Sequence, residues 1–312
     1  MTRHKQNCGQ AYVLTVLFLV VLLGMAAAVL DAGSWYRADR ALQATVDAAA
    51  LAGAQALPED SGEASALANE YATKNGGGSI AVSFDSEVFD DDTIIVEGSR
   101  PAPGFFAKVF GVDSVTVNAR AKARAGLPAA AKWVAPIVVN EKHEMLQNCP
   151  DDPPCKGDTK LDYYHLKNKG EQNDGAGSFG FINLTGDNGV GSNELGKWIS
   201  EGFDQLLEVN QDYLVSTGNP FSSTNIKGAL DEKVKEGDIL LFPVYDTLTG
   251  AGNNAKYHIV GFAAFVITSM DLTGNNEKFY GHFVSVTWEA VQAGTVSSAP
   301  PNFGVKNVSL ID

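Results

Sequence analysis

The sequence predicts an α+β fold: a single N-terminal transmembrane helix that extends outside the membrane, a small helix-and-sheet domain, and a larger β-rich α+β domain. Three observations predict this fold. Residues 11–30 form an apolar run, helical composition continues behind that run to Pro58, and short alternating or apolar segments typical of strands follow. Of the 312 residues, 45% are hydrophobic and 19% are charged, which is typical of globular rather than disordered protein.

The apolar run, AYVLTVLFLVVLLGMAAAVL, predicts a helix that crosses a membrane once. It holds 20 residues without a charge, and at about 1.5 Å per residue it spans roughly 30 Å, the thickness of a bilayer's hydrocarbon core. A cleaved signal peptide is the alternative. Its apolar region is ordinarily shorter, however, and the helical pattern here continues past the run.

Basic residues before the run predict the orientation of the helix. Arg3 and Lys5 precede it, and the first acidic residue of the chain is Asp31. Because basic flanks are retained on the cytoplasmic side, we expect residues 1–10 to form a cytoplasmic tail and residues 31–312 to be extracytoplasmic.

The helical pattern continues outside the membrane through residues 31–57 and stops at Pro58. Small residues recur along it at spacings that let two helices approach closely. We predict that they pack against partner helices, and that a leucine at position 53 disturbs this packing while the fold stays intact. Helix propensity alone is the alternative explanation for the alanines. The residues assigned to helix packing are Gly24 and Ala28 within the membrane, and Asp47, Ala49 and Gly53 outside it.

Residues 58–126 predict the small helix-and-sheet domain. A short helix is expected at 62–74, followed by strands at SIAVSFD and DTIIVEGS with an acidic turn between them. A short helical piece, FFAKVFG, comes next. The segment SVTVNARAKARAG then alternates as a strand does, with one face formed by Val115, Val117, Ala119, Ala121 and Ala123.

A linker is expected at residues 127–132 and the larger β-rich domain at residues 133–312. Long apolar segments late in the chain, joined by turn sequences, favour an antiparallel meander. Helices are expected at 194–207 and 225–235. The strand candidates are WVAPIVVN, GSFGFINL, DILLFPVYD, AKYHIVGFAAFVITSMDL, KFYGHFVSVTWEAVQ and GVKNVSL.

Three short segments of the N-terminal region resemble one protein family. They are Gly9-Gln10 before the apolar run, Asp31-Ala32-Gly33 after it, and the block DAAALAGA that begins at Asp47. Together they resemble the TadE/TadG-like proteins of the bacterial tight-adherence (Flp) pilus assembly machinery, strongly over residues 9–57 and weakly beyond. The segment from Trp133 onward resembles a C-terminal domain of some Gram-positive TadG-like proteins.

Two departures from that family narrow what the resemblance implies. Pilin-like members carry a glutamate five residues after a glycine, but Leu14 stands at that place after Gly9. We therefore expect neither prepilin processing nor a pilin subunit. Larger members can carry a metal site with the string Asp-x-Ser-x-Ser, which this sequence lacks.

Two of the three cysteines, Cys149 and Cys155, bracket PDDPP in a polar segment. Disulfides persist outside the cytoplasm, and a five-residue spacer can bring two sulfurs together, so we predict a Cys149–Cys155 disulfide. A zinc site is not expected, because no adjacent cluster of cysteine or histidine offers further ligands.

Several strings approach known motifs but lack a residue or a context that the chemistry needs. GAGSFG precedes a strand rather than a helix, and GSNELGK is followed by Trp198 where a phosphate loop has serine or threonine. No GxSxG or HExxH string occurs. We expect no catalytic residue, cofactor or metal. The net charge of -14 also argues against nucleic-acid binding, because phosphate repels an acidic surface.

These observations favour a non-catalytic, membrane-anchored accessory component of Tad/Flp pilus assembly or secretion, held in a bacterial plasma membrane. It would act through contacts with other membrane proteins of the assembly or with pilins. One alternative is a membrane-tethered envelope hydrolase or ligand-binding domain with a pocket around His258 or His282. A surface adhesin is another.

Overall fold

The computed structural model describes residues 8–147, 154–155, 157–163, 179–186, 189–273, 277–288, 291–293 and 301–311. The chain divides into two compact units. Unit 1 comprises Met1–Asp85, Thr93–Arg124 and Leu310–Asp312, and unit 2 comprises Ser86–Asp92 and Ala125–Ser309. Helices and several sheets occur together, so the predicted α+β class is confirmed.

One continuous helix, α1 (Cys8–Ala54), begins the described chain. Its 47 residues extend over about 70 Å at 1.5 Å per residue. The helix ends three residues before the predicted Leu57, and the amides of residues 55–57 bond to carbonyls three residues earlier in a tighter turn. Pro58 explains the early end, because a proline disfavours the helical conformation of the residue before it.

Unit 1 adds a second helix and three antiparallel strands. Asp60 starts the helix, since its carboxylate accepts a hydrogen bond from the Glu63 amide at 2.8 Å and satisfies a donor that a helix start leaves unpaired. The strands pair in the order β1-β2-β3. The elements are α2 (Ser61–Lys74), β1 (Ser79–Asp85), β2 (Thr93–Pro103), a 3-10 helix (Ala107–Phe110) and β3 (Ser114–Gly126).

The core of unit 1 lies where the outer part of α1 meets α2 and β2. Both helices present mostly small side chains there, so their backbones approach each other closely. β3 buries alternate residues, as its sequence predicts. The buried core residues of the three elements include Leu42, Val46, Ala49 and Ala50 of α1, Ala64, Ala68 and Ala72 of α2, and Ile94 and Val96 of β2.

The remaining elements belong mainly to unit 2. Its helices are α3 (Glu144–Gln147), α4 (Ser192–Glu201) and α5 (Thr224–Glu236), with 3-10 helices at Pro220–Ser222 and Gly252–Asn254. The strands are β4 (Pro128–Ala131), β5 (Ile137–Asn140), β6 (Thr159–Asp162), β7 (Phe179–Phe181), β8 (Leu207–Glu208), β9 (Gln211–Leu214), β10 (Ile239–Thr249), β11 (Lys256–Asp271), β12 (Lys278–Val284), β13 (Val286–Thr287), β14 (Val291–Ala293) and β15 (Val305–Ile311).

The main sheet of unit 2 has the order β6-β12-β11-β10-β5-β7, and β9 also pairs with β11. β10, β11 and β12 follow one another in the chain and pair antiparallel, so the predicted meander is confirmed. β5 joins β10 in parallel. A smaller sheet has the order β14-β4-β8, and β13 pairs with β15 in parallel.

Aromatic side chains fill much of the core of unit 2. Phe179 of β7 stacks on Phe279 of β12 with ring centroids 4.4 Å apart, and Phe242 of β10 stacks on Phe265 of β11 at 5.5 Å. All four are fully buried. Burial of such a ring stabilises the fold by about 1.5–3 kcal/mol, so these two stacked pairs stabilise the packing of the main sheet.

Two predicted segments differ from the structure. Residues 127–132 are not a free linker, because Pro128–Ala131 forms β4, which is mostly buried and pairs with β8 and β14. The predicted helix 194–207 ends at Glu201, because Gly202 turns the chain with a positive φ of 78°. A Cβ at Gly202 would stand 2.6 Å from the Cα of Trp133, so only glycine fits this turn.

Candidate functional site

The residues that the sequence assigns to helix packing all lie on α1, whose surroundings change along its length. By length and composition, α1 is the one helix of the described residues that can cross a membrane. Its most apolar 18-residue window has a mean hydropathy of 2.9, and none of that window is buried within the chain. The outer part of the same helix is buried in unit 1.

Gly24 and Ala28 lie on the exposed apolar part. A Cβ on Gly24 would meet no atom of the described chain within 4 Å, and Ala28 is exposed. The described part of this chain therefore leaves the small face open for another helix or for lipid. That a partner helix packs there stays a prediction.

Ala49 and Gly53 have a different environment, because this chain itself fills the space beside them. Ala49 is fully buried. A Cβ on Gly53 would stand 2.5 Å from Ile94 Cδ1 of β2, 2.8 Å from the carbonyl oxygen of Ala64 and 3.3 Å from Ala68 Cβ of α2. Gly53 thus permits the close crossing of α1 and α2. For this steric reason we expect, contrary to the prediction from the sequence, that a leucine at Gly53 disturbs the fold of unit 1.

Asp47 lies half-buried on the face of α1 next to β3. Its Oδ1 accepts a hydrogen bond from Gln43 Nε2 at 2.8 Å, and the same Nε2 donates to the Arg120 carbonyl oxygen at 2.9 Å. Asp47 therefore orients a glutamine that ties α1 to the sheet of unit 1. Sequence spacing placed Asp47 on the helix, but only the fold reveals this contact.

A buried carboxylate on α1, that of Asp31, lies directly after the apolar run. The carboxylate is 3% exposed and accepts backbone hydrogen bonds from Phe105 at 2.9 Å, Phe106 at 3.0 Å and Ala107 at 2.5 Å. Burial by itself raises the pKa of Asp31, but the three amides outweigh it and lower the pKa below its usual value. The ionised carboxylate thus holds the segment that begins the first 3-10 helix.

Two aromatic residues follow Asp31 within about one and a half turns of α1. Trp35 Nε1 donates a hydrogen bond to the Pro103 carbonyl oxygen at 3.2 Å, which adds a second tie between α1 and the end of β2. Tyr36 is 59% exposed, and its hydroxyl accepts a hydrogen bond from Arg40 Nε at 3.1 Å. An aromatic pair at the end of an apolar span is typical of a membrane interface.

The cysteine prediction falls partly outside the described residues. Cys155 lies after α3, and its amide donates to the Met145 carbonyl oxygen at 2.9 Å. Cys149 is not among the residues that the structure describes. The Cys149–Cys155 disulfide therefore stays a prediction.

The two histidines of the alternative hypothesis lie on neighbouring strands of unit 2. His258 Nδ1 of β11 is 2.9 Å from Asp212 Oδ1 of β9, and His282 Nδ1 of β12 is 3.9 Å from Asp158 Oδ1. A cavity of about 150 Å³ in the same unit is lined by neither histidine. Over the described ranges, no three His, Cys, Asp or Glu side chains gather closely enough to hold a metal ion.

A buried carboxylate also lies beside a partly buried phenol in unit 2. Glu277 is 3% exposed, and its Oε1 lies 3.5 Å from Asn219 Nδ2. Burial raises the pKa of Tyr163, and the negative charge of Glu277 raises it further. The phenol therefore stays protonated across physiological pH.

Comparison with known protein families identifies the segment of the chain that contains α1. The family model of the TadE/G-like Flp pilus-assembly proteins (Tad) matches residues 9–56, which cover nearly all of α1. The resemblance stated above is therefore confirmed over this segment. Neither the curated proteins nor the solved structures contain a significant match to the chain.

Proposed function

We propose that this protein is a single-span, non-catalytic accessory component of Tad/Flp pilus assembly or secretion that acts through contacts with other proteins. One observation carries the proposal: the Flp pilus-assembly family model matches residues 9–56, and all but the last two of these residues belong to one helix with an open apolar part and a docked outer part. The helix can thus serve as anchor and as scaffold at once.

In this proposal the chain lies in a bacterial plasma membrane with its N-terminus in the cytoplasm. Arg3 and Lys5 support this orientation, because basic residues beside a span are retained inside. Residues 31–312 then lie outside the cytoplasm. At about 1.5 Å per residue, the outer part of α1 carries the core of unit 1 roughly 15–35 Å away from the bilayer.

The proposed contact surface is the small face of α1 at Gly24 and Ala28. These residues are four apart and therefore lie on the same side of the helix, where small side chains let another helix approach. The described part of this chain leaves that side uncovered. In this proposal the outer small residues are not part of that surface, because Ala49 is buried within the chain and atoms of α2 and β2 stand against Gly53.

The experiment is a gene deletion complemented with three forms of the full chain: wild type, Gly24→Leu/Ala28→Leu, and Ala26→Leu. Ala26 lies about 200° around the helix from both positions, so it is a matched control on the opposite side. Leucine keeps the span apolar, so insertion is retained in every form. Surface pili are scored by shearing and electron microscopy, at equal amounts of protein in the membrane fraction.

We expect the deletion to remove pili, wild type and Ala26→Leu to restore them, and the double variant to fail. Normal piliation of the deletion strain would refute the proposed function. Full restoration by the double variant would keep the role in assembly but exclude the Gly24 face as the contact surface.

One observation favours a second candidate, a membrane-tethered envelope hydrolase or ligand-binding domain. The His258–Asp212 hydrogen bond orients an imidazole, as a general base requires. If the His258–Asp212 pair is catalytic, His258→Ala abolishes the hydrolase activity of the full chain while unit 2 stays folded. Normal piliation with His258→Ala would show that the pair is not needed for assembly.

A further inference from the structure

Five exposed apolar residues cluster in the loop between β2 and β3, which we call the apolar loop (residues 104–112). In a water-soluble loop such side chains would be buried or replaced by polar ones, and a contiguous exposed apolar patch marks an interaction surface. The exposed fractions are 67% for Phe105, 46% for Phe106, 82% for Val109, 82% for Phe110 and 41% for Val112.

Hydrogen bonds hold the apolar loop against the part of α1 that directly follows the apolar run. The Asp31 carboxylate accepts the amides of residues 105–107, and the Trp35 indole donates to the carbonyl of Pro103 just before the loop. Gly104 lies close to α1, since a Cβ there would stand 3.6 Å from Trp35 Cζ2. The loop is therefore ordered on the helix, with its apolar side chains turned outward.

The same contacts fix the depth of the loop relative to a membrane. Asp31 is the first residue after the apolar run 11–30, so it lies about 1.5 Å beyond the end of that run along the helix axis. Amides that bond to its carboxylate lie at the same level. If residues 11–30 span the hydrocarbon core, the loop lies at its outer boundary, the depth at which aromatic side chains are favoured.

The charge of the loop fits the same location. Lys108 is its single charged residue and is exposed, whereas the chain as a whole is strongly acidic. A lysine at this depth can bury its methylene stem while its ammonium group reaches phosphate headgroups. Tyr36, about one and a half turns beyond Asp31 on α1, adds another exposed aromatic ring roughly 7.5 Å outside this level.

We propose that the apolar loop inserts Phe105, Phe106, Val109 and Phe110 into the outer interfacial layer of the membrane that α1 spans. The loop then forms a second membrane contact beside the helix. Two contacts held together by Asp31 fix the rotation and tilt of α1, and with them the direction in which unit 1 points away from the bilayer. This inference rests on the membrane anchoring in the proposed function.

The test uses the full chain with Phe110→Trp, reconstituted in vesicles of phosphatidylethanolamine and phosphatidylglycerol. In a second set of vesicles, the phosphatidylglycerol is brominated near the carbonyl end of its acyl chains, so that it quenches tryptophan only at shallow depth in the bilayer. The emission added by the new tryptophan is obtained by subtracting wild type, because wild type already contains four tryptophans.

The matched control is Tyr71→Trp, an aromatic replacement at another exposed site of unit 1. Tyr71 lies near the end of α2, where the Thr45 hydroxyl donates to the Asn75 carbonyl oxygen at 2.7 Å. Thr45 is 14 residues beyond Asp31 on α1, which places this site about 20 Å outside the bilayer boundary.

We expect brominated lipid to remove most of the emission added by Phe110→Trp and none of that added by Tyr71→Trp. Unquenched emission from Phe110→Trp would overturn the inference, since the loop then faces water or a protein partner. Flotation of the vesicles after an alkaline wash distinguishes the membrane anchoring of the chain from the insertion of the apolar loop. Protein that does not float refutes the anchoring and the loop insertion together, whereas floating protein without quenching refutes the loop insertion alone.

Discussion

Gly53 lies where α1 crosses α2, and its replacement gives the sharpest test of the packing in unit 1. A methyl group there would stand 2.5 Å from Ile94 Cδ1 and 2.8 Å from the Ala64 carbonyl oxygen. The end of the isoleucine side chain can turn away, but the carbonyl belongs to the backbone of α2. Either the two helices separate or the contact stays strained.

The expected magnitude follows from two opposing effects. Overpacking a well-filled core costs about 1–3 kcal/mol, whereas replacing glycine by alanine inside a helix returns about 1 kcal/mol. We therefore expect Gly53→Ala to destabilise unit 1 by about 1 kcal/mol. Gly53→Leu adds three more carbons at the same place, so we expect a loss of about 3 kcal/mol or more.

Hydrogen exchange of the α2 amides, read by mass spectrometry on the full chain in detergent, reports this loss separately from unit 2. Each 1.4 kcal/mol accelerates exchange through opening about tenfold, so Gly53→Leu should accelerate it by about a hundredfold or more. Gly33→Ala is the control, because it is the same kind of change in the same helix with no atom within 4 Å. Exchange in α2 that is no faster in Gly53→Ala and Gly53→Leu than in Gly33→Ala would refute the steric explanation.

Three further predictions concern other contacts. Asp31→Asn removes the ionised group that binds the amides of residues 105–107, so these amides should exchange faster while those of α2 do not; equal protection would show that the carboxylate is dispensable. Asp60→Ala removes the cap of α2 and should destabilise that helix by about 1 kcal/mol in the same exchange assay. Phe279→Ala leaves a cavity beside Phe179 and should destabilise unit 2 by about 3–5 kcal/mol in urea unfolding; a loss below 1 kcal/mol would mean that the core closes around it.

Much of the fold follows from local sequence patterns. β1 and β3 have the bounds that alternation predicts, because in each strand exposed residues alternate with less exposed ones, which are partly buried in β1 and mostly buried in β3. α5 differs from its predicted range by one residue at each end, since Ser223 caps its start and Gly237 ends it in a left-handed conformation. The meander β10-β11-β12 is long and apolar enough to be identified without any tertiary information.

The sequence patterns did not predict the short strands. β4 reads PAAA, which alone is typical of a connection, and it forms a strand because β8 and β14 pair with it on both sides. β6, β8 and β9 have two to four residues each, too few for a period to appear. Pairing with distant segments stabilises such strands, so their own residues carry little signal.

The sequence by itself determined the apolar span, the continuous helix behind it, the α+β class and the resemblance of residues 9–57 to Flp pilus-assembly proteins. These features depend on composition and on spacings within one element. The tertiary structure alone decided what each small or charged residue of α1 contacts. It showed that Gly53 meets α2 of the same chain, that Gly24 remains uncovered within the described residues, and that Asp31 holds a loop more than 70 residues away. The physical reason is that side-chain partners come from segments far apart in the chain, and only the folded backbone brings them together.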